Sequence, residues 1–338
     1  MADKVNIAVD AMGGDNAPAE VVKGCIEALE KAPGLKISLV GIEDKVRAEL
    51  SKYTYDPDRI EVIHASEVIE MAEPPVMAVR TKKDSSLVRC MYLVKEGKCD
   101  ALVTAGSTGA FLVGGQIIVG RIKGVERPPL APFIPTLTGR CLLLDCGANV
   151  DARPSQLVQF AKIGSAYVRK ACGIDNPRVG IVNIGAEEEK GNALVKETFP
   201  LLKATPEINF IGSVEARDIP YGAADVVVCE AFVGNVILKM YEGVGTALMK
   251  SMKEAFMTST KSKIGALLAK PALKKTLKQY DTNQYGGAPL LGCNGLLVKT
   301  HGSSKSAPIC NSILQCKLFA DQNINNDIKE MFSISSDI

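Results

Sequence analysis

The 338-residue sequence has no tryptophan, two histidines and few aromatic residues, 5% in all. Ten cysteines are scattered through mostly apolar segments, and no two of them form a CxxC pair. With so few histidines, a structural zinc site is not expected, and buried, reduced thiols in a cytosol are the default. The formal net charge is +2, so no global field points to nucleic acid. The opening MADKVNIAVD lacks the layout of a signal peptide, which favours a cytoplasmic protein. A spanning helix is not expected either. The uncharged run Ala101–Gly120 carries glycines 106, 109, 114, 115 and 120 plus Thr104, Ser107, Thr108 and Gln116. That run reads as a buried strand, a glycine turn and a buried helix.

What is present is a globular composition, 46% hydrophobic and 23% charged, arranged as strands alternating with helices. Strands are predicted near Val5–Asp10, 36–41, 59–65, 101–104, 140–145, 178–183, 208–215 and 224–230, with charged or amphipathic segments between them. Repeated βα units predict an α/β fold: one large domain over 1–338 with a doubly wound, mostly parallel sheet. The proline-rich 127–135 segment crosses the surface or forms an edge strand.

The stretch Val5–Glu20, VNIAVDAMGGDNAPAE, is the most informative. A β-branched strand ends at Asp10, turns through Gly13-Gly14, and enters a helix that Asn16 can cap, with Pro18 in its first turn. Free amides at such a helix start suit an anion, phosphate above all, although an ordinary tight turn looks the same. The pattern is neither GxGxxG nor a Walker A loop. Similar exits follow other strands, at Ala105–Gly109, Asp145–Asp151, Gly185–Asn192 and Glu230–Asn235. In open α/β sheets ligands sit beyond the carboxyl ends of the strands, so all five are expected to line one cleft. The phosphate- and substrate-binding candidates are Asp10, Gly13, Gly14, Asp15, Gly106, Ser107, Thr108, Gly109, Asn149 and Asn192. Asp10, Asp15 and Asp145 suit capping or orienting lysines better than holding a metal, because bare carboxylates repel phosphate.

Residues 244–285 read as an inserted basic amphipathic helical hairpin. Eight lysines between 250 and 278 face one acid, Glu254, and Pro271 is expected to kink or split the second helix. Lys261, Lys263, Ile264, Leu267, Leu268, Lys270, Lys274 and Lys275 are the candidates for contact with an anionic membrane surface or an acidic carrier protein. Packing on the domain or on a second subunit is the alternative. Farther on, Ser303 or Ser304 is placed to cap a helix starting near Ala307. Cys146 and Cys229 stand at strand ends, but no histidine is near in sequence to make either a nucleophile.

DAMGGDNAP (10–18), KKDSSL (82–87), TAGSTGA (104–110), DCGANVD (145–151), EEEKGN (187–192), VEARDIP (214–220), FVGNVILK (232–239), YGGAPLLG (285–292) and KTHGSS (299–304) occur in one order over nearly the whole chain. In that order the chain resembles the bacterial phosphate acyltransferase family, the PlsX type. Glu230-Ala231 stands where that family usually has Asp-Gly, and Asn16 where it often has His. The resemblance implies transfer of a fatty acyl group from acyl carrier protein to inorganic phosphate at the start of phospholipid synthesis. It also implies a homodimer, peripheral contact with the inner face of the cell membrane, and no cofactor. Lys190 and Asn235 are the residues it supports as required. From the residues alone, Lys190 reads first as a surface lysine paired with Glu187 or Glu188, and Asn235 equally as a helix cap. His301 is a candidate general acid or an ordinary hydrogen-bonded strand-end histidine, and His64 a weaker one. The rival readings are a phosphotransacetylase-like enzyme using acyl-coenzyme A, a decarboxylating dehydrogenase, and a non-catalytic membrane-surface scaffold for lipid-synthesis enzymes.

Overall fold

The computed structural model describes residues 5–280 and 282–333, leaving aside the side chains of Lys275, Lys278, Gln279, Thr282, Asn283 and Ser333. The chain divides into two compact units. The first runs to Pro132 and takes in Ala166–Asp175 and the chain from Asn283; the second holds Phe133–Ser165 and Asn176–Thr282.

The first unit opens with β1 (Val5–Asp10), α1 (Ala19–Lys31), β2 (Leu35–Gly41), α2 (Glu43–Leu50), β3 (Ile60–His64), α3 (Pro75–Thr81), α4 (Ser86–Lys95), β4 (Ala101–Thr104) and α5 (Thr108–Gly114). The second unit contributes β5 (Phe133–Thr136), β6 (Gly139–Leu144), the start of α6 (Pro154–Cys172), β7 (Arg178–Asn183), α7 (Ala193–Lys203), β8 (Asn209–Glu215), β9 (Val226–Val228), α8 (Ala231–Phe256) and α9 (Thr260–Gln279). The first unit closes with β10 (Ala288–Pro289), β11 (Leu296–Lys299), α10 (Ser306–Asp321) and α11 (Ile324–Ser333).

The strands form two sheets, ordered β10-β11-β4-β1-β2-β3 and β5-β6-β9-β7-β8. The α/β class and the mostly parallel pairing match the sequence reading. Each sheet has one antiparallel pair, β10 with β11 and β5 with β6. β5 is thus the edge strand that the prolines of 127–135 permit. β1 is central because all its residues but Asn6 are buried, as a strand with both faces covered requires. α1 lays Val21, Val22, Cys25, Ile26 and Leu29 inward. Gly24 lets α10 approach: a Cβ there would stand 2.8 Å from the Ser306 carbonyl oxygen. In the second unit the core gathers Ile134, Leu143, Val214, Ile219 and Val227, with Val233, Ile237 and Tyr241 of α8 laid over it.

Several local expectations change. Asn16 does not cap α1, whose first turn follows Pro18 with no side-chain cap. Its amide instead donates to the Ser303 and Ser304 carbonyl oxygens at 3.0 and 3.2 Å, because a long-range partner competes with the local one. Neither Ser303 nor Ser304 caps α10; the Ser306 amide donates to Glu20 Oε2 of α1 at 2.7 Å. The hairpin's first arm is the continuation of α8, uninterrupted through Gly243 and Gly245, so it begins well before 244. Interior glycines weaken a helix by about 1 kcal/mol each without ending it. α9 likewise runs through Pro271 without splitting, which removes one N–H donor opposite the exposed Leu267.

Candidate active site

In the first sheet β1 lies between β2 and β4, and the chain leaves it toward β2. The strand order reverses there, so the crevice beyond β1 and β4 is where such a sheet offers a ligand site. Two of the five strand exits, 10–16 and 105–109, meet at this place. The buried Asp10 carboxylate accepts from Thr104 Oγ1 at 2.7 Å and from the Met12 amide at 3.2 Å. Burial raises its pKa above the usual carboxylate value against the pull of these hydrogen bonds. The Gly106 amide donates to Thr104 Oγ1 at 2.9 Å. Gly13 must be glycine: a Cβ would stand 2.5 Å from Asp10 Oδ2 and 2.7 Å from the Gly106 nitrogen. A Cβ on Gly14, at φ +100°, would meet the Gly302 carbonyl oxygen at 2.9 Å. Ser107 caps α5 by accepting from the Ala110 amide at 3.4 Å. Thr108 and Gly109 then hold the first helical amides, which an α-helix leaves without an internal acceptor.

The β11 exit joins them. The Asp15 amide donates to the Gly302 carbonyl oxygen at 2.9 Å. His301 Nδ1 accepts from the Ser303 amide at 3.3 Å and lies 2.8 Å from Ser303 Oγ. An accepting Nδ1 places the neutral ring's proton on Nε2. Lys299 is buried and its Nζ donates to the Ala105 carbonyl oxygen at 3.2 Å and to that of Thr300. Sequence reasoning passed over Lys299; its signal was a lysine closing the apolar run GLLV. His64 sits apart at the end of β3, its Nδ1 accepting from the Glu43 amide.

The other three exits belong to the second unit. β6, β9 and β7, which carry them, are neighbours in its sheet. The fully buried Asp145 carboxylate accepts from the Asn149 amide and Nδ2, both at 2.7 Å, so Asn149 is held in its own turn. The Ala231 amide donates to the Asn149 carbonyl oxygen at 3.0 Å. Gly234 sits so close that a Cβ would lie 1.9 Å from the Asp145 carbonyl oxygen. Glu230 caps α8, accepting from the Phe232 amide at 2.5 Å and the Val233 amide at 3.1 Å. Ala231 is the first helical residue, a conformation that alanine adopts freely. Asn235 is therefore neither on a turn nor a cap, but exposed on the second turn of α8.

Lys190 is exposed and pairs with Glu187 at 2.8 Å, while Glu188 pairs with Lys203. Their mutual hydrogen bond raises the Lys190 pKa and lowers that of Glu187. Asn192 caps α7 through the Val195 amide at 2.9 Å. Beyond β7 and β9 opens a cavity of about 550 Å³, walled mainly by apolar side chains including Leu157, Ile181, Leu194, Val195, Val233 and Ile237. Cys146 and Cys229 are buried, and burial holds both thiols well above their ordinary pKa, the wrong direction for nucleophiles.

On the hairpin, Ile264, Leu267 and Leu268 are exposed, as are Lys261, Lys263, Lys270 and Lys274. Lys275 lies outside the described side chains. On α8, Val244, Leu248 and Met249 are exposed too. Among the described residues no helix is long and apolar enough to cross a membrane. Arg80 and Lys83 are exposed, whereas Lys82 is tied to Glu73 at 2.5 Å and to the Val68 carbonyl oxygen.

A family model described as "Fatty acid synthesis protein" matches residues 5–327. The chain is 50% identical over 330 residues to the phosphate acyltransferase of Clostridium beijerinckii, covering 97% of this chain and 99% of that one. It is 49% identical to a putative phosphate acyltransferase of Clostridium perfringens, covering 96% of each. Among solved structures it is similar to the EutD phosphotransacetylase of Staphylococcus aureus, with a TM-score of 0.61, 18% identity and 94% of each chain covered. A phosphotransacetylase of Streptococcus pyogenes gives a TM-score of 0.60 at the same identity and coverage. At that identity the two structures speak for the fold alone.

Proposed function

The chain belongs to the phosphate acyltransferase family, and from that premise we propose that it moves a fatty acyl group from acyl carrier protein to inorganic phosphate, giving acyl phosphate for phospholipid synthesis. The observation that carries this reading is the half-identical match along nearly the whole chain to proteins named for phosphate acyl transfer. A likeness of fold alone would leave acyl-coenzyme A donors on an equal footing.

A phosphate oxygen attacks the thioester carbonyl carbon. The new C–O bond leaves an oxyanion, whose collapse breaks the C–S bond and frees the carrier's thiolate, which then takes a proton. Phosphate is already a nucleophile at neutral pH and thiolate is a good leaving group, so placement and charge stabilisation carry the step. We assign phosphate to the first unit's locked turns, at the amides of Thr108 and Gly109, with Lys299 holding the Ala105 carbonyl beneath them. His301, with its proton on Nε2, is the donor to the leaving thiolate. Lys190 and Asn235, both exposed on the second unit, are the cation and the amide that the family resemblance names as required. The Lys190–Glu187 pair is exposed, hence weak and easily exchanged for a reactant.

The exposed lysines and leucines of the hairpin suit an anionic membrane surface, and Arg80 and Lys83 steer an acidic carrier protein. A homodimer is part of the same reading. Acyl carrier protein thioester incubated with phosphate and trapped with hydroxylamine should give hydroxamate; its absence refutes the transferase reading. Coenzyme A thioester as the sole productive donor would select the phosphotransacetylase-like alternative. Lys190→Ala should cut turnover at least roughly tenfold with the melting temperature unchanged, and full turnover would remove Lys190 from the mechanism. Replacing Leu267 and Leu268 with Glu should abolish sedimentation with anionic liposomes; unchanged sedimentation would assign that face to protein packing.

A further inference from the structure

We propose that the cavity at the carboxyl edge of the second sheet holds the alkyl chain of the acyl donor, and that Leu194, Val195, Val233 and Ile237 set the longest chain it accepts. The inference rests on the acyl-transfer reading above and names which part of the donor the second unit receives. Three features carry it.

The first is the lining. Leu157, Ile181 and Cys229 are buried and form the floor; Leu194 and Val195 of α7 and Val233 and Ile237 of α8 form half-buried walls. A half-open, mainly apolar hollow of about 550 Å³ takes an extended apolar group rather than a hydrated ion.

The second is that the polar side chains at its edge are already engaged. Asn183 Nδ2 donates to the Lys190 carbonyl oxygen at 3.1 Å and to Ser213 Oγ at 3.0 Å, while its Oδ1 accepts from the Ile184 amide. Asn192 and Glu230 accept from helix amides, and Arg217 donates to Glu215 at 3.1 Å. These bonds turn much of the polar edge toward the protein itself, and the apolar walls reward an apolar ligand.

The third is the position of the mouth. Gly191 and Asn192 line it and follow Lys190 directly in the chain. Gly191 has φ +109°, and a Cβ there would stand 3.0 Å from the Val195 Cβ and 2.6 Å from Asn183 Oδ1, so glycine lets this turn lie close against α7. A chain entering beside the β7–α7 turn has its polar head at Lys190 and its methyl end toward Ile181 and Leu157.

The test compares kcat/KM for acyl carrier protein thioesters with saturated chains of about four to about sixteen carbons, where each buried methylene contributes roughly fourfold until the cavity is full. Val195→Phe should move the plateau to shorter chains and lower the long-to-short ratio at least roughly tenfold. Leu194→Ala should move it to longer chains, and it carries the test if Val195→Phe does not fold. A ratio unchanged in Leu194→Ala, or a uniform loss at all lengths in Val195→Phe, overturns the proposal. Equilibrium binding of the fluorescent fatty acid cis-parinaric acid separates the two readings. If the wild type makes no acyl phosphate but binds the probe, and Val195→Phe abolishes binding, the transfer reading fails and the cavity assignment stands. A wild type that neither binds the probe nor discriminates chain length refutes the cavity assignment alone.

Discussion

At the carboxyl edge of the first sheet, polar atoms hold one another. Asp10, Thr104 and Gly106 form one hydrogen-bonded set, and Asp15, Asn16 and Lys299 tie in the β11 turn. At the same edge of the second sheet the polar groups retreat into caps, and an apolar cavity opens between α7 and α8. Both edges follow one rule, a ligand crevice beyond the carboxyl ends of the strands. The residues placed there differ, so one topology presents backbone amides in the first unit and hydrocarbon in the second.

The contrast can be broken from either side. Gly234→Ala drives a Cβ to within 1.9 Å of the Asp145 carbonyl oxygen, a backbone atom that cannot swing away. Overpacking of that kind costs about 3 kcal/mol, and urea unfolding should show it as a lower midpoint. An unchanged midpoint would mean that α8 is not seated on the Asp145 turn. Gly13→Ala, with its Cβ 2.5 Å from Asp10 Oδ2, should destabilise by about 2 kcal/mol. It should also lower kcat/KM for phosphate by roughly a hundredfold, since the turns no longer close on one another. Unaltered phosphate kinetics would move the phosphate away from this edge.

The smallest effect belongs to Asp84→Asn, on the loop before α4. The Ser66 hydroxyl and amide, then Arg89, hold the Asp84 carboxyl at about 2, below its ordinary 3.8. An acid with a lowered folded-state pKa adds stability above its unfolded value and loses it as pH falls through the folded one. The variant should melt slightly below the wild type at pH 7, by less than about 1 kcal/mol since Asp84 is partly exposed, and the gap should close toward about pH 2. A gap that persists at the acid end would show that the carboxylate's charge is not its source.

Much of the candidate site was legible because its signals are local. Gly13-Gly14 marked the β1 turn, and the Gly-Ser-Thr-Gly turn the start of α5, since few residues but glycine tolerate those approaches. Lys299 was not legible: a strand-end lysine reads as solvent-facing until folding brings Ala105 over it. Asn16 misled because the side chain that can cap its own helix found the Ser303 carbonyl 287 residues away. The cavity was not legible as one, although EEEKGN, VEARDIP and FVGNVILK supply part of its lining, because Leu157, Val195 and Val233 sit on three helices that only folding brings together.

By itself the sequence determined the α/β alternation, the strand exits that carry polar turns and the kinship with phosphate acyltransferases, all of which depend on short-range periodicity, glycine placement and motif order. Tertiary structure alone decided that the strands form two sheets, that Glu20 meets the first amide of α10, and that hydrocarbon rather than polar atoms lines the second crevice. The physical reason is that burial and hydrogen-bond pairing are settled among residues distant in the chain, where the local pattern is silent about which partner each group will meet.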